Sequence, residues 1–160
     1  MPIYSIASAV SPSLVSHGYR RYSPTCVRTN DRLVYVDSSA FVKLVLPEAE
    51  TEALVTYLRR WSVAVSATLL RTEALRAAAR HSPELVRATR IALRDVAFIE
   101  LSRELMDQAG ALTPPDVSSL DAIHLAAALS LGDDLDEVVT YDSRMLAAAS
   151  ACGLVVSSPA

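Results

Sequence analysis

Cysteine is nearly absent from this 160-residue chain, which holds only Cys26 and Cys152. Two distant cysteines make neither a disulfide framework nor a thiolate zinc site, and such usage suits a reducing cytosol. Glycine is scarce as well, at four residues, and none sits in a phosphate-cradling loop. With eight prolines, that excludes collagen-like and glycine-rich low-complexity structure. Aromatic residues make up 6%, too few for a broad platform on which successive bases stack. No uncharged apolar run approaches the roughly 18 residues that span a bilayer, so a cytoplasmic protein without membrane contact is expected.

What is present is a globular composition. Apolar residues are 51% of the chain and the formal net charge is −3, which excludes a disordered acidic chain. A chain of this length suits one domain and buries roughly 68–70% of its unfolded surface. The charge is unevenly spread. Lys43 is the only lysine, and residues 59–94 carry eight arginines against Glu73 and Glu84. Residues 95–142 carry eleven acids against Arg103 alone. A basic arm beside an acidic pole can bind a polyanion and cations, although solvated helix faces give the same asymmetry.

Residues 1–32 are rich in serine and arginine, hold no acid before Asp31 and lack periodicity. They read as a disordered tail, or as a start assigned too far upstream. An organelle transit peptide shares this composition, and no function is expected there. From Leu33 the pattern alternates. Leu33–Val36, Ser62–Val65, Val96–Leu101, Glu137–Tyr141 and Leu154–Val156 read as strands. Between them come helices from near Pro47 to Arg60, from a Ser66 cap to Arg80, and from Pro83 to Arg94. Further helices are expected over Ser102–Leu112, over Leu120–Leu131 after a Ser118 cap, and over Ser143–Ala151. Strands alternating with helices imply an α/β fold, a three-layer α/β/α sandwich around a short, mainly parallel sheet.

In such sheets ligands bind beyond the carboxyl ends of the strands. Asp37 and Asp142 sit where a strand gives way, and Glu73 and Asp121 lie early in helices. Four carboxylates meeting at one rim repel one another unless neutralised, and a divalent cation with a preference for oxygen ligands does this. Each acid also has a purely structural explanation. Asp37 and Asp142 suit helix N-caps, Asp121 completes a Ser-x-x-Asp capping arrangement with Ser118, and Glu73 can pair with Arg76 or Arg80. Spacing alone leaves the two readings open. Other phosphoryl chemistry is less well served. Receiver domains need a lysine near the last strand, haloacid-type phosphatases an acid where Ser39 stands, and serine hydrolases a nucleophile elbow.

The stretch Leu33-Val34-Tyr35-Val36-Asp37-Ser38-Ser39-Ala40-Phe41-Val42-Lys43 resembles the opening of PIN-domain nucleases, particularly the toxins of VapBC toxin–antitoxin pairs. Leu70-Arg71-Thr72-Glu73, Ser119-Leu120-Asp121-Ala122-Ile123-His124-Leu125-Ala126 and Val138-Val139-Thr140-Tyr141-Asp142 follow in the family's order. The resemblance covers about residues 33–157 and implies an endoribonuclease using Mg²⁺ or Mn²⁺. By the same resemblance Asp37, Glu73, Asp121 and Asp142 form its acidic quartet, with Asp116 as an alternative to Asp142, and Ser39 and Thr140 support the site. Such an enzyme cuts RNA with a metal-activated water and leaves a 5′-phosphate and a 3′-hydroxyl.

Substrates of such toxins are transfer or ribosomal RNA, for which Arg71, Arg76 and Arg80 are candidate phosphate contacts. A homodimer and a cognate antitoxin are implied too, with Leu54, Tyr57 and Trp61 candidates for that interface and core packing their alternative. His124, a lone histidine in an apolar helix, is given no role. The rival reading is a PIN-like module that binds RNA or a partner without cutting.

Overall fold

The computed structural model describes residues 20–23, 31–113 and 117–160. In chain order the elements are β1 (Arg20–Arg21), β2 (Leu33–Val36), α1 (Ser38–Val45), α2 (Thr51–Leu58), β3 (Val63–Ala67), α3 (Leu69–Ala79) and α4 (Pro83–Ala92). Then follow β4 (Ala97–Ile99), α5 (Arg103–Gly110), α6 (Ser119–Leu129), β5 (Glu137–Val139), α7 (Ser143–Ala151) and β6 (Val156–Ser157). The strands form one six-stranded sheet in the order β1-β4-β3-β2-β5-β6. All pairings are parallel, and β2 lies at the centre between β3 and β5.

The alternation of β2 shows how the layers arise. Successive strand residues face opposite sides, and all four here are fully buried. Val34 and Val36 join one core with Phe41, Leu44, Leu54, Leu58, Leu70 and Phe98, beneath α1 to α4. Leu33 and Tyr35 join the other with Leu105, Leu125, Ala126 and Met145, beneath α5 to α7. A strand covered on both faces has no polar side to show, hence its continuous apolar run. The expected α/β sandwich is present.

Local chemistry sets the helix starts. Ser82, Ser102 and Ser118 each accept a bond from a backbone N–H in the first turn, at Leu85, Leu105 and Asp121. Pro83 occupies the first turn of α4, where its missing N–H costs nothing. Gly153, just past α7, takes a φ of 81°, a left-handed conformation that glycine adopts without strain.

Four expectations shift. Helix α1 is additional: Asp37 caps it, and its apolar Ala40, Phe41, Leu44 and Val45 are buried at helical spacing. The next helix begins at Thr51 rather than near Pro47. Glu48 and Glu50, which precede it, clamp Lys43 Nζ at 2.5 and 3.0 Å. Ser66 is no cap, because β3 runs on to Ala67, and Thr68 precedes α3 with its hydroxyl donating to the Ile99 carbonyl. At the opposite edge β6 lies two residues later than Leu154.

The expected tail, residues 1–32, falls mostly outside the described residues. Within it, Arg20–Arg21 pairs with Ala97–Phe98, and the Tyr22 N–H donates to the Phe98 carbonyl at 2.7 Å. Of the residues considered for an antitoxin interface, Leu54 and Trp61 are core residues, 0% and 2% exposed. Tyr57 is half-buried and donates its hydroxyl to Glu137 at 2.6 Å. Among the described residues no helix is long and apolar enough to cross a membrane.

Candidate active site

The chain leaves β2 for one side of the sheet and returns to its other side as β5, so the direction of winding switches between these two strands. Neighbouring connections there depart to opposite faces and leave a crevice at the carboxyl ends. Asp37 ends β2 at that crevice, and its N–H donates to the Val139 carbonyl at the end of β5.

Asp37 is 5% exposed, so its charge needs donors close by. Three converge on Oδ2: the Ser39 hydroxyl at 2.7 Å, the Thr140 hydroxyl at 2.9 Å and the Ser39 N–H at 3.3 Å. Ser39 Oγ also accepts from the Tyr141 N–H at 2.8 Å, and Thr140 Oγ1 from the Asp142 N–H at 3.1 Å. These two hydroxyls therefore tie the start of α1 to the loop after β5. Oδ1 accepts no hydrogen bond among the described residues and lies 3.9 Å from His124 Nε2.

Glu73 reaches the crevice from α3, one strand over. Instead of pairing with Arg76 or Arg80, it accepts from His124 Nε2 at 2.8 Å and from the Ser38 hydroxyl, both at Oε2. Burial opposes its ionisation, but the bonds from His124 and Ser38 outweigh burial and hold the carboxyl below the usual range. His124, on α6, is 1% exposed and binds the Tyr35 hydroxyl through Nδ1 at 2.7 Å. Burial holds the Tyr35 phenol far above the usual tyrosine range.

Asp121 stands one helical turn before His124 on α6, on the same helix face. Its N–H donates to Ser118 Oγ at 3.3 Å, while the Ser118 hydroxyl donates to Asp121 Oδ2 at 2.7 Å. Asp142 caps α7, accepting at Oδ1 from the Arg144 and Met145 N–H groups at 2.8 and 3.2 Å. Arg144 Nη2 lies 3.8 Å from its other oxygen. Asp116 falls outside the described residues.

Two hydrogen-bonded groups thus stand side by side: Glu73 with His124 and Ser38, and Asp37 with Ser39 and Thr140, with His124 Nε2 3.9 Å from Asp37 Oδ1. Asp121 and Asp142 border them through helix caps and make no hydrogen bond to the other two acids among the described residues. Reasoning from sequence assigns no role to Ser38, Tyr35 or His124. The histidine's partners come from β2, α1 and α3, more than 50 residues away, so no spacing within α6 reveals it. Arg71 is half-buried with its guanidinium 5.4 Å from the Phe98 ring centre, whereas Arg76 and Arg80 are exposed.

The donor chemistry suits a hard divalent cation. Asp37, Glu73 and Asp121 each commit one carboxylate oxygen to protein donors and keep the other without a hydrogen bond among the described residues. Among those residues no group of three or more His, Cys, Asp and Glu side chains stands close enough together to hold a metal ion.

Comparison with known proteins places this architecture. The PIN domain family matches residues 34–151. Ribonuclease VapC46 of Mycobacterium tuberculosis is 42% identical over 126 residues, which cover 79% of this chain and 97% of that protein. Ribonuclease VapC47 of the same species is 36% identical over 132 residues, with the same two coverages. Among solved structures, Mycobacterium tuberculosis VapC20, described as a Sarcin-Ricin loop cleaving toxin, superposes with a TM-score of 0.60 at 18% identity. It spans 76% of this chain and 96% of its own. A toxin-antitoxin complex from Klebsiella pneumoniae gives 0.60 at 21% identity, over 79% and 98%. The two superpositions speak for the fold, and the sequence matches carry the family. A PIN match across most of the chain and ribonuclease relatives matched over nearly their whole length lead to one conclusion: the chain belongs to the PIN-domain family, among the VapC ribonucleases.

Proposed function

We propose that this chain is an endoribonuclease toxin of a toxin–antitoxin pair, and that it hydrolyses RNA with Mg²⁺ or Mn²⁺ held by Asp37, Glu73, Asp121 and Asp142. The observation that carries the reading is the division of labour within the carboxylates: Asp37, Glu73 and Asp121 each give one oxygen to hydrogen bonds and keep one spare, beside the switch in winding. Asp142 joins from the loop that Thr140 ties to Asp37. When bound, such a cation holds the scissile phosphate, lowers the pKa of an attached water and stabilises the leaving oxygen.

The protein's own residues do the positioning. Ser39 and Thr140 hold Asp37, Ser38 and His124 hold Glu73, and Ser118 holds Asp121, so little side-chain freedom is lost on assembly. Attack in line by water leaves a 5′-phosphate and a 3′-hydroxyl. Arg76 and Arg80, exposed on and just beyond α3, are the stronger candidates for phosphate contacts; Arg71 is engaged against Phe98. Transfer or ribosomal RNA is the proposed substrate class, recognised as a folded shape. The VapC20 description supports a structured target, and the Klebsiella complex supports a protein antitoxin as partner. We place the nuclease unit at residues 33–157, as a homodimer in the cytoplasm.

Purified protein is expected to cut structured RNA with Mg²⁺ or Mn²⁺, to stop on adding EDTA, and to resume when the cation is restored. Asp37→Asn and Asp121→Asn are expected to fall to the EDTA level while keeping the native circular dichroism spectrum. Cleavage that survives both substitutions overturns the assignment.

A further inference from the structure

His124 lies outside the ligand set proposed above, yet both its ring nitrogens are engaged in the core. Which nitrogen carries the hydrogen follows from its neighbours. The Ala67 N–H donates to the Tyr35 hydroxyl oxygen at 3.1 Å. Tyr35 then has one hydrogen of its own to place. The Ser66 side chain also lies beside this hydroxyl, but Ser66 Oγ has no hydrogen-bond partner among the described residues. His124 Nδ1, 2.7 Å away, is the acceptor in hydrogen-bond geometry. A neutral imidazole that accepts at Nδ1 carries its hydrogen on Nε2. That N–H meets Glu73 Oε2 at 2.8 Å and Ser38 Oγ at 3.1 Å. Ser38 in turn donates its hydroxyl hydrogen to the same Oε2. Every donor in this chain points one way, from the β3 backbone towards Glu73.

We propose that His124 is a positioning residue for Glu73: the relay from the Ala67 N–H through the Tyr35 hydroxyl sets the Nε2–H tautomer, which pins Oε2 and leaves Oε1 as the oxygen for a cation. The last step rests on the metal-dependent reading above; the tautomer does not. A glutamate side chain has several torsions to freeze, and a donor that freezes them beforehand lowers the cost of binding. Outer partners that orient ligands in this way commonly change metal affinity or activity by about 10–100-fold when removed.

Two measurements on the full chain test this. In metal-free protein labelled with ¹⁵N-histidine, ring nitrogen shifts at neutral pH should show a pyridine-like Nδ1 and a pyrrole-like Nε2 for His124. Tyr35→Phe, which removes the donor, should mix the two tautomers. A pyrrole-like Nδ1 in the unaltered protein overturns the relay. In calorimetric titration with Mn²⁺, His124→Ala should weaken binding by about 10–100-fold, and His124→Gln, whose amide also donates, should recover part of it. The same variants should lower kcat and leave the KM for RNA unchanged. A purely structural role lowers Tm without moving the Mn²⁺ affinity of the folded protein. Unchanged affinity in both His124 variants, with Asp37→Asn abolishing binding, overturns the positioning role and leaves the nuclease reading standing. If the unaltered protein binds no Mn²⁺, the nuclease reading falls and takes the Oε1 step with it, while the nitrogen shifts still decide the tautomer.

Discussion

A carboxylate buried as deeply as Asp37 is stable only with donors around it, and the sequence supplies them two residues on at Ser39 and 103 residues on at Thr140. The same accounting applies at the edge of the sheet. Burial and the charge of Asp134, which accepts the Tyr22 hydroxyl at 3.2 Å, raise the Tyr22 phenol to about 12. The folded chain therefore keeps this proton when an unfolded one has begun to release it. The stability this linkage gives is complete below pH 10, the ordinary tyrosine value, and is lost as pH rises towards 12. Ultraviolet titration of the phenolate, with Tyr22→Phe as the blank, should place this residue near 12, and Asp134→Asn should bring it part of the way back. An unshifted phenol contradicts the packing described for the β1 segment. Single residues were legible in the sequence where their type and place coincide, as with acids at strand ends. His124 was not, because its meaning lies in Tyr35 and Glu73, brought together only by the fold.

Elements were read best where apolar periodicity and a cap agree. The helices after Ser82, Ser102 and Ser118 start within one residue of the expected positions because serine hydroxyls accept first-turn N–H groups there. Helix α1 escaped because its Ser38-Ser39-Ala40-Phe41-Val42-Lys43-Leu44-Val45 run follows a strand directly, and short apolar runs do not separate helix from strand. Strand β3 outran its expected end because Ser66, a good capping residue, is held in the strand by parallel pairing with Phe98 of β4. The two-residue β1 has no pattern of its own; its partner β4 alone defines it. Packing then sets the energetic scale. Leu44 of α1 is fully buried, so Leu44→Ala should cost about 2–5 kcal/mol in denaturant unfolding. Ile91, 57% exposed on α4, should cost less than about 0.5 kcal/mol on the same change. Equal costs for the two contradict the placement of α1 in the core.

Across the whole molecule, charge and topology divide the work. The switch in winding between β2 and β5 lies beside Asp37; Glu73 comes from α3 on one layer, and α6 on the other carries His124 and, one turn before it, Asp121. Arginines cluster on the segment from Arg59 to Arg94, and the acids follow it. A polyanion approaching the acidic pole needs those arginines, and each phosphate contact releases bound counterions from the RNA. Arg76→Ala and Arg80→Ala should each weaken RNA binding alike for different sequences and reduce the slope of log affinity against log salt by roughly 1. Filter binding across a salt series reads this out, and an unaltered slope in both variants removes α3 from the RNA path. The architecture was legible because strands and helices alternate in composition; the pairing of acids with particular partners was not, because it depends on strand order. The central claim is that one cation binds where β2 ends. Anomalous diffraction from Mn²⁺-soaked crystals tests it most directly: a peak about 2 Å from Asp37 Oδ1, shared with Glu73 or Asp121, is the expected result. Manganese bound only at other acids, with none at Asp37, contradicts it.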